Sequence, residues 1–138
     1  MPAKDIYHDT VKNALIKDGW IIIHDHLSLK IGNKDIFIDL AADKLLIAEK
    51  LEQKIAVEVK SFISPSEIED LKNALGQYIL YEKVLSRLGC ERILYLAIRE
   101  PVFNRLFTEE IGKILLEDKT IKLLVFEPEQ EVVIQWIN

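Results

Sequence analysis

The sequence has one cysteine, Cys90, in 138 residues. A lone thiol closes no internal disulfide and is too few for a cysteine-based zinc site. No apolar run approaches the roughly 18 residues needed to cross a bilayer, and MPAKDIYHD lacks the basic-then-apolar pattern of a signal peptide. These shortages lead us to expect a protein of the cytoplasm. Low-complexity stretches, linkers and internal repeats are missing as well, so residues 1–138 read as a single domain. Basic side chains are also scarce: 18 Lys and Arg against 23 Asp and Glu leave a net charge of −5, whereas tight binding of a polyanion normally needs a basic footprint. The shortage is uneven. Residues 1–60 carry nine basic and ten acidic side chains and residues 61–138 carry nine and thirteen, so the first half is the better face for nucleic acid. What the chain does have, 49% apolar and 30% charged residues, suffices for a core and a solvated surface.

Along the chain, DIYHDTVKNALIKD (5–18) puts Ile6, Val11, Ala14 and Leu15 near one helical face, and Gly19 stops the helix. WIIIHDHLSLKI and KDIFIDL then read as two strands broken at Gly32-Asn33. KLLIAEK and KIAVEVKSF read as a tight hairpin joined by Leu51, Glu52 and Gln53. Ser64-Pro65-Ser66-Glu67 signals a helix start, with Ser64 as the cap and Pro65 at the first position. Ile68, Leu71, Leu75, Tyr78, Ile79 and Leu85 continue that helix to a stop at Gly89. RILYLAI (92–98) is apolar enough to be a strand covered on both faces. Pro101 breaks it, residues 102–117 return to helical spacing, and IKLLVF and EVVIQWI close the chain as strands. The predicted order αββββαβαββ defines an α/β domain with a mixed sheet flanked by helices.

The chemistry concentrates in KIAVEVKSF. The two-residue period of a strand places Glu58 and Lys60 on one face and Val57 and Val59 on the other. Asp39 ends the apolar run IFID, nineteen residues earlier, where a neighbouring strand can bring it beside Glu58. Paired carboxylates suit a hard divalent cation, and magnesium takes one or two of them while keeping waters and a substrate phosphate. A lysine beside such a site can orient or deprotonate water and offset charge on a phosphate.

This arrangement, with the leading helix and the Gln77-x-x-x-Tyr81 pair one turn apart in the next helix, resembles the PD-(D/E)XK nuclease superfamily. The resemblance implies a restriction-endonuclease-like core with Asp39, Glu58, Lys60 and Gln77 as catalytic residues. It also implies Mg2+ held by Asp39, Glu58 and the Val59 carbonyl, with Tyr81 as an accessory residue. Many members carry a Glu in the leading helix where this chain has His8, an accessory residue whose neutral imidazole can still contact a metal-bound water, and the Pro that Ile38 replaces is lacking in many members too.

From end to end the chain also resembles a narrower group, the XisH family of cyanobacteria. The matching stretches are MPAKDIYHDTVKNALIKDGW, LSLKIGNKDIFIDL, KIAVEVKSFISPSEIEDLKNALGQYILYE, LAIREPVFN and LLVFEPEQEVVIQW. That resemblance implies a factor controlling excision of a DNA element during heterocyst differentiation. It further implies a small partner protein, XisI, and a separate serine-type recombinase that cuts and rejoins the DNA. Two classes stay open: a magnesium-dependent nuclease, favoured by Asp39, Glu58 and Lys60 together, and a non-catalytic, partner-binding regulator on the same scaffold, favoured by the −5 charge and His8. DNA binding by the isolated protein is expected to be weak, and self-association into a homo-oligomer stays open.

The remaining features read as structural. His24-x-His26 has no third ligand at metal-like spacing and suits an exposed strand edge. Trp20 and Trp136 suit packing, since neither stands among the basic residues of a single-strand binder. Arg99 reads as one half of a strand-end charge pair with Glu100, with phosphate contact as its alternative.

Overall fold

The computed structural model describes residues 4–46 and 51–138. Six strands form one mixed sheet in the order β1-β4-β5-β6-β7-β8. These are β1 (Ile21–His24), β4 (Leu40–Leu46), β5 (Leu51–Val59), β6 (Ile93–Arg99), β7 (Leu123–Glu127) and β8 (Val132–Ile137). The pairs β5/β6 and β6/β7 are parallel and the outer pairs antiparallel. β2 (Leu27–Ile31) and β3 (Lys34–Ile38) form a separate two-stranded ribbon. This is the mixed α/β, nuclease-like architecture expected from the sequence. Among the described residues no helix is long and apolar enough to cross a membrane.

Alternation along the central strands sorts the core into two layers. Ile55, Val57 and Val59 of β5, with Tyr95, Ala97, Leu124 and Phe126, pack against Val11 and Leu15 of α1 (His8–Lys17) and against Trp20. Ala56, Leu94, Leu96, Ile98, Leu123 and Val125 face the other way. There they meet Leu71, Ala74, Tyr78 and Leu85 of α2 (Glu67–Arg87) and Val102 and Leu106 of α3 (Glu100–Leu106). Leu96 and Ile98 are fully buried, as two-sided cover of β6 requires. The Tyr78 hydroxyl reaches through this layer. It donates to the Leu94 carbonyl at 3.0 Å and accepts from the Lys122 amide at 3.1 Å, and burial pushes its pKa up to about 12.

Several boundaries differ from the sequence reading. The run 20–31 is two strands, because the chain leaves the main sheet after His24 and re-enters the ribbon at Leu27. The leading helix begins at His8, since the Asp5 carboxylate instead accepts the Tyr7 and Ser61 amides. Leu51, Glu52 and Gln53 belong to β5, paired with Leu46, Leu45 and Lys44, so the hairpin connection falls at 47–50, outside the described residues. The cap of α2 is Ser66, whose hydroxyl accepts the Glu69 amide at 3.2 Å, while Ser64 donates to the Ser66 carbonyl. Pro65 therefore precedes the helix. Residues 102–117 split into α3 and α4 (Glu110–Glu117). Phe107 is buried at the end of α3, and Gly112 of α4 lies directly against the Leu106 carbonyl and Phe107. The stop at Gly89 is as expected. Its φ of +67° is the left-handed backbone that glycine enters freely, and Cys90 closes the turn onto the Leu85 carbonyl.

Candidate active site

Asp39 stands where the chain passes from the ribbon to the main sheet, between Ile38 of β3 and Leu40 of β4. Leu40 is in register with Val57, so the next position on each strand sets Asp39 against Glu58. The contact is tight. The Asp39 amide donates to Glu58 Oε1 at 3.3 Å, and the Val59 amide donates to Asp39 Oδ2 at 2.7 Å. Lys60 Nζ lies 3.8 Å from Glu58 Oε2. Both carboxylates and Lys60 thus sit on the α2 side of the sheet, and Val59, whose N–H secures Asp39, turns its side chain to the α1 side.

Burial drives the electrostatics. Glu58 is 6% exposed. Loss of solvent, followed by the adjacent Asp39 charge, pushes its pKa up to about 8 against a smaller opposing pull from Lys60. Two carboxylates this close cannot both ionise cheaply with one lysine as counter-charge. The missing element is more positive charge, and two hard oxygen donors beside a backbone strand are the chemistry of a magnesium or manganese site. Asp39 and Glu58 are therefore the groups that could hold a divalent cation.

The cover comes from α2. Burial raises the Tyr81 phenol above its ordinary range, and the Glu58 and Asp39 charges raise it further. One turn earlier, Gln77 has a buried Oε1 with no hydrogen-bond partner. His8 goes elsewhere. It is 3% exposed, its Nε2 bonds to Asp25 Oδ1 at 2.7 Å, and among the described residues it makes no hydrogen bond to Asp39 or Glu58. Lys12 joins the same carboxylate at 2.9 Å. Burial alone would raise Asp25, but these two partners hold it below the ordinary carboxylate range. His8, Asp9 and Asp25 bring ligand atoms within 4.8 Å of one another, yet Lys12 already supplies the cation there. His24 is exposed at the β1 edge, and His26 packs edge-on against Phe37 at 5.2 Å.

The loop after Lys60 is braced by residues that no local pattern marks. Asp5 Oδ2 accepts the Ser61 amide at 3.0 Å, and Arg99 Nη2 donates to the Ser61 carbonyl at 2.7 Å. The Arg99 guanidinium also lies over the Tyr7 ring at 5.0 Å, and its Nε is buried without a partner. Arg99 is thus committed to the chain instead of to a pair with Glu100. Between these braces and α2, buried Phe62 holds a φ of +53°, a strained conformation for a residue with a Cβ. The only signal for Asp5 and Arg99 was their residue type, because Ser61, which both brace, is 38 or more positions from each.

Fold and site together define an α/β protein of nuclease-like architecture with a lysine-flanked carboxylate pair, of which Glu58 is buried and Asp39 half-buried. The family model "XisH protein" matches residues 1–134, and the chain belongs to the XisH family. It is similar to the crystal structure of an XisH family protein from Nostoc punctiforme, with 40% identity over 97% of this chain and 100% of that one and a TM-score of 0.86. It is similar also to an fdxN element excision controlling factor protein from Anabaena variabilis, with 39% identity, 98% and 100% coverage and a TM-score of 0.86. No curated protein matches the chain.

Proposed function

We propose that this protein is an excision-controlling factor that acts on DNA in the cytoplasm of a cyanobacterium during heterocyst differentiation, through a magnesium-dependent phosphodiester site of the PD-(D/E)XK type. The observation that carries the catalytic reading is the Asp39–Glu58 pair, its glutamate buried against one lysine and in need of further positive charge. Family membership and the likeness to the Anabaena variabilis factor support the role in excision.

In this reading Asp39, Glu58 and the Val59 carbonyl hold the cation, which when bound supplies Lewis-acid polarisation of a phosphate oxygen. The chain's own groups do the rest. Lys60 orients or deprotonates the attacking water and offsets charge developing on the phosphate. The free Gln77 Oε1 is an acceptor at the edge of the site, and Tyr81 shields it from bulk water. Asp5 and Arg99 fix the backbone on both sides of Ser61, so the Lys60 ammonium is presented from an immobile turn. An XisI-type small protein is the partner, and a serine-type recombinase performs the cutting and rejoining of the element itself.

A divalent-metal titration with DNA, with and without the XisI-type partner, tests this. Cleavage in Mg2+ or Mn2+ that Lys60→Ala abolishes, with folding and partner binding kept, is the expected result. No cleavage by the wild type in any divalent metal, together with excision in cells supported by Lys60→Ala, would establish the second reading, a non-catalytic regulator. The net charge of −5 is the observation that favours that reading.

A further inference from the structure

At the opposite end of β5 from Glu58 lies an open pocket of about 580 Å³. That is within the range of roughly 300–1,000 Å³ typical of small-molecule sites. Its walls include Trp20, Tyr95 and Trp136, and Glu52, Gln53 and Glu91 stand around it. Five residues of strand separate Gln53 from Glu58, about 16 Å at the usual rise, so this is a second place and not an extension of the carboxylate site.

The three rings form a continuous aromatic wall. Trp136 meets Trp20 at 5.6 Å and Tyr95 edge-on at 4.9 Å. One cation already uses it: Lys44 Nζ lies 5.6 Å from the centre of the Trp20 ring, held there by the Asp18 carbonyl at 2.7 Å and the Asp18 carboxylate at 3.8 Å. Lys44 and Asp18 cancel each other, which leaves Glu52 and Glu91 against Lys54 among the charged lining. No ion pair among the described residues joins Glu52 or Glu91 to a base. Electron-rich ring faces beside unneutralised carboxylates attract positive charge, and flat cations stack on indole as well as pairing with carboxylate.

We propose that this pocket binds an organic cation with a planar charged group of the guanidinium kind, stacked on the half-exposed Trp136 ring and neutralised by Glu52 and Glu91. The source is either a free small molecule or an arginine side chain on a peptide segment. An anion would meet two carboxylates, and a neutral apolar ligand would leave them unused.

The chain's two tryptophans are Trp20 and Trp136, so intrinsic fluorescence reports on this pocket and is blind to the carboxylate site. Agmatine is the probe. It is expected to change the emission saturably with a Kd of about 1 mM or tighter. The double variant Glu52→Gln, Glu91→Gln alters two exposed side chains and keeps the fold by circular dichroism, and it is expected to weaken agmatine about tenfold or more. Comparing N-acetyl-arginine amide with a Gly-Arg-Gly peptide separates the sources: tighter peptide binding assigns the site to a partner's arginine, equal binding to a free cation. The proposal is overturned if agmatine gives no saturable change by about 10 mM, if the double variant binds it as well as the wild type, or if the dianion glutarate binds as tightly.

Discussion

Asp39 and Glu58 are each bonded to the other's strand: the Asp39 amide donates to the Glu58 carboxylate, and the Asp39 carboxylate accepts the amide of Val59, next to Glu58. The two acids therefore cannot swing apart without breaking these two hydrogen bonds. Their repulsion is relieved by a proton or a cation, not by movement.

This makes stability pH-dependent in an unusual direction. Glu58 keeps its proton in the folded protein up to about pH 8 and loses it near 4.5 when unfolded. Between those values the folded state binds more protons, so this group's stabilising contribution is fully present below about 4.5 and is lost as pH rises to 8, by at most about 1.4 kcal/mol per pH unit. Urea melts of the metal-free protein from pH 5 to 9 are expected to show the decline, and Glu58→Gln is expected to flatten it. A wild-type stability that rises over that interval, with no difference in the variant, would contradict the assignment.

A substitution that helix propensity favours is expected to fail. Gly→Ala inside a helix ordinarily gains about 1 kcal/mol, but a Cβ at Gly112 would sit 2.4 Å from the Leu106 carbonyl oxygen and 2.6 Å from the Phe107 Cα. Gly112→Ala should instead lose about 1–3 kcal/mol through overpacking. Equilibrium denaturation of the variant decides the sign.

Leu96→Ala empties a fully buried position in the central strand β6 and is expected to lose about 2–5 kcal/mol. A loss under about 1 kcal/mol would mean that the strand is peripheral and the topology wrong. The midpoint and slope of a denaturant curve distinguish that outcome from a changed unfolded state.

DNA binding by the isolated protein is expected to be weak and to fall steeply with salt, because a surface of net charge −5 neutralises few phosphates. Gel shifts across a salt series measure this. Tight, sequence-specific binding at physiological salt without a partner would refute the charge argument.

Much of this architecture was legible because it follows local periodicity. The alternation of KIAVEVK sorted Glu58 and Lys60 from Val57 and Val59, and the glycine stops at 19 and 89 were readable as left-handed positions. Two errors share one cause, that apolar spacing runs smoothly across breaks imposed by tertiary contacts. The split after His24 follows a change of sheet, and the split before Glu110 follows the burial of Phe107. Ser64 and Ser66 are both good caps, and the chain uses the second. The carboxylate pair was visible from its hairpin spacing. Asp5, Asp25 and Arg99 were not, because a side chain whose partners lie in other elements, whether the Ser61 backbone for Asp5 and Arg99 or the His8 and Lys12 side chains for Asp25, leaves no pattern in its own neighbourhood.

The register that sets Leu46 opposite Leu51 and Leu40 opposite Val57 has a kinetic side. Pairing these neighbours closes a short loop, whereas the parallel alignment of β5 with β6 must wait for the α2 crossover and a much longer closure. The acid pair thus belongs to the sequence-local unit that is entropically easiest to nucleate, and the helix bearing Gln77 and Tyr81 joins with the slower, long-range step.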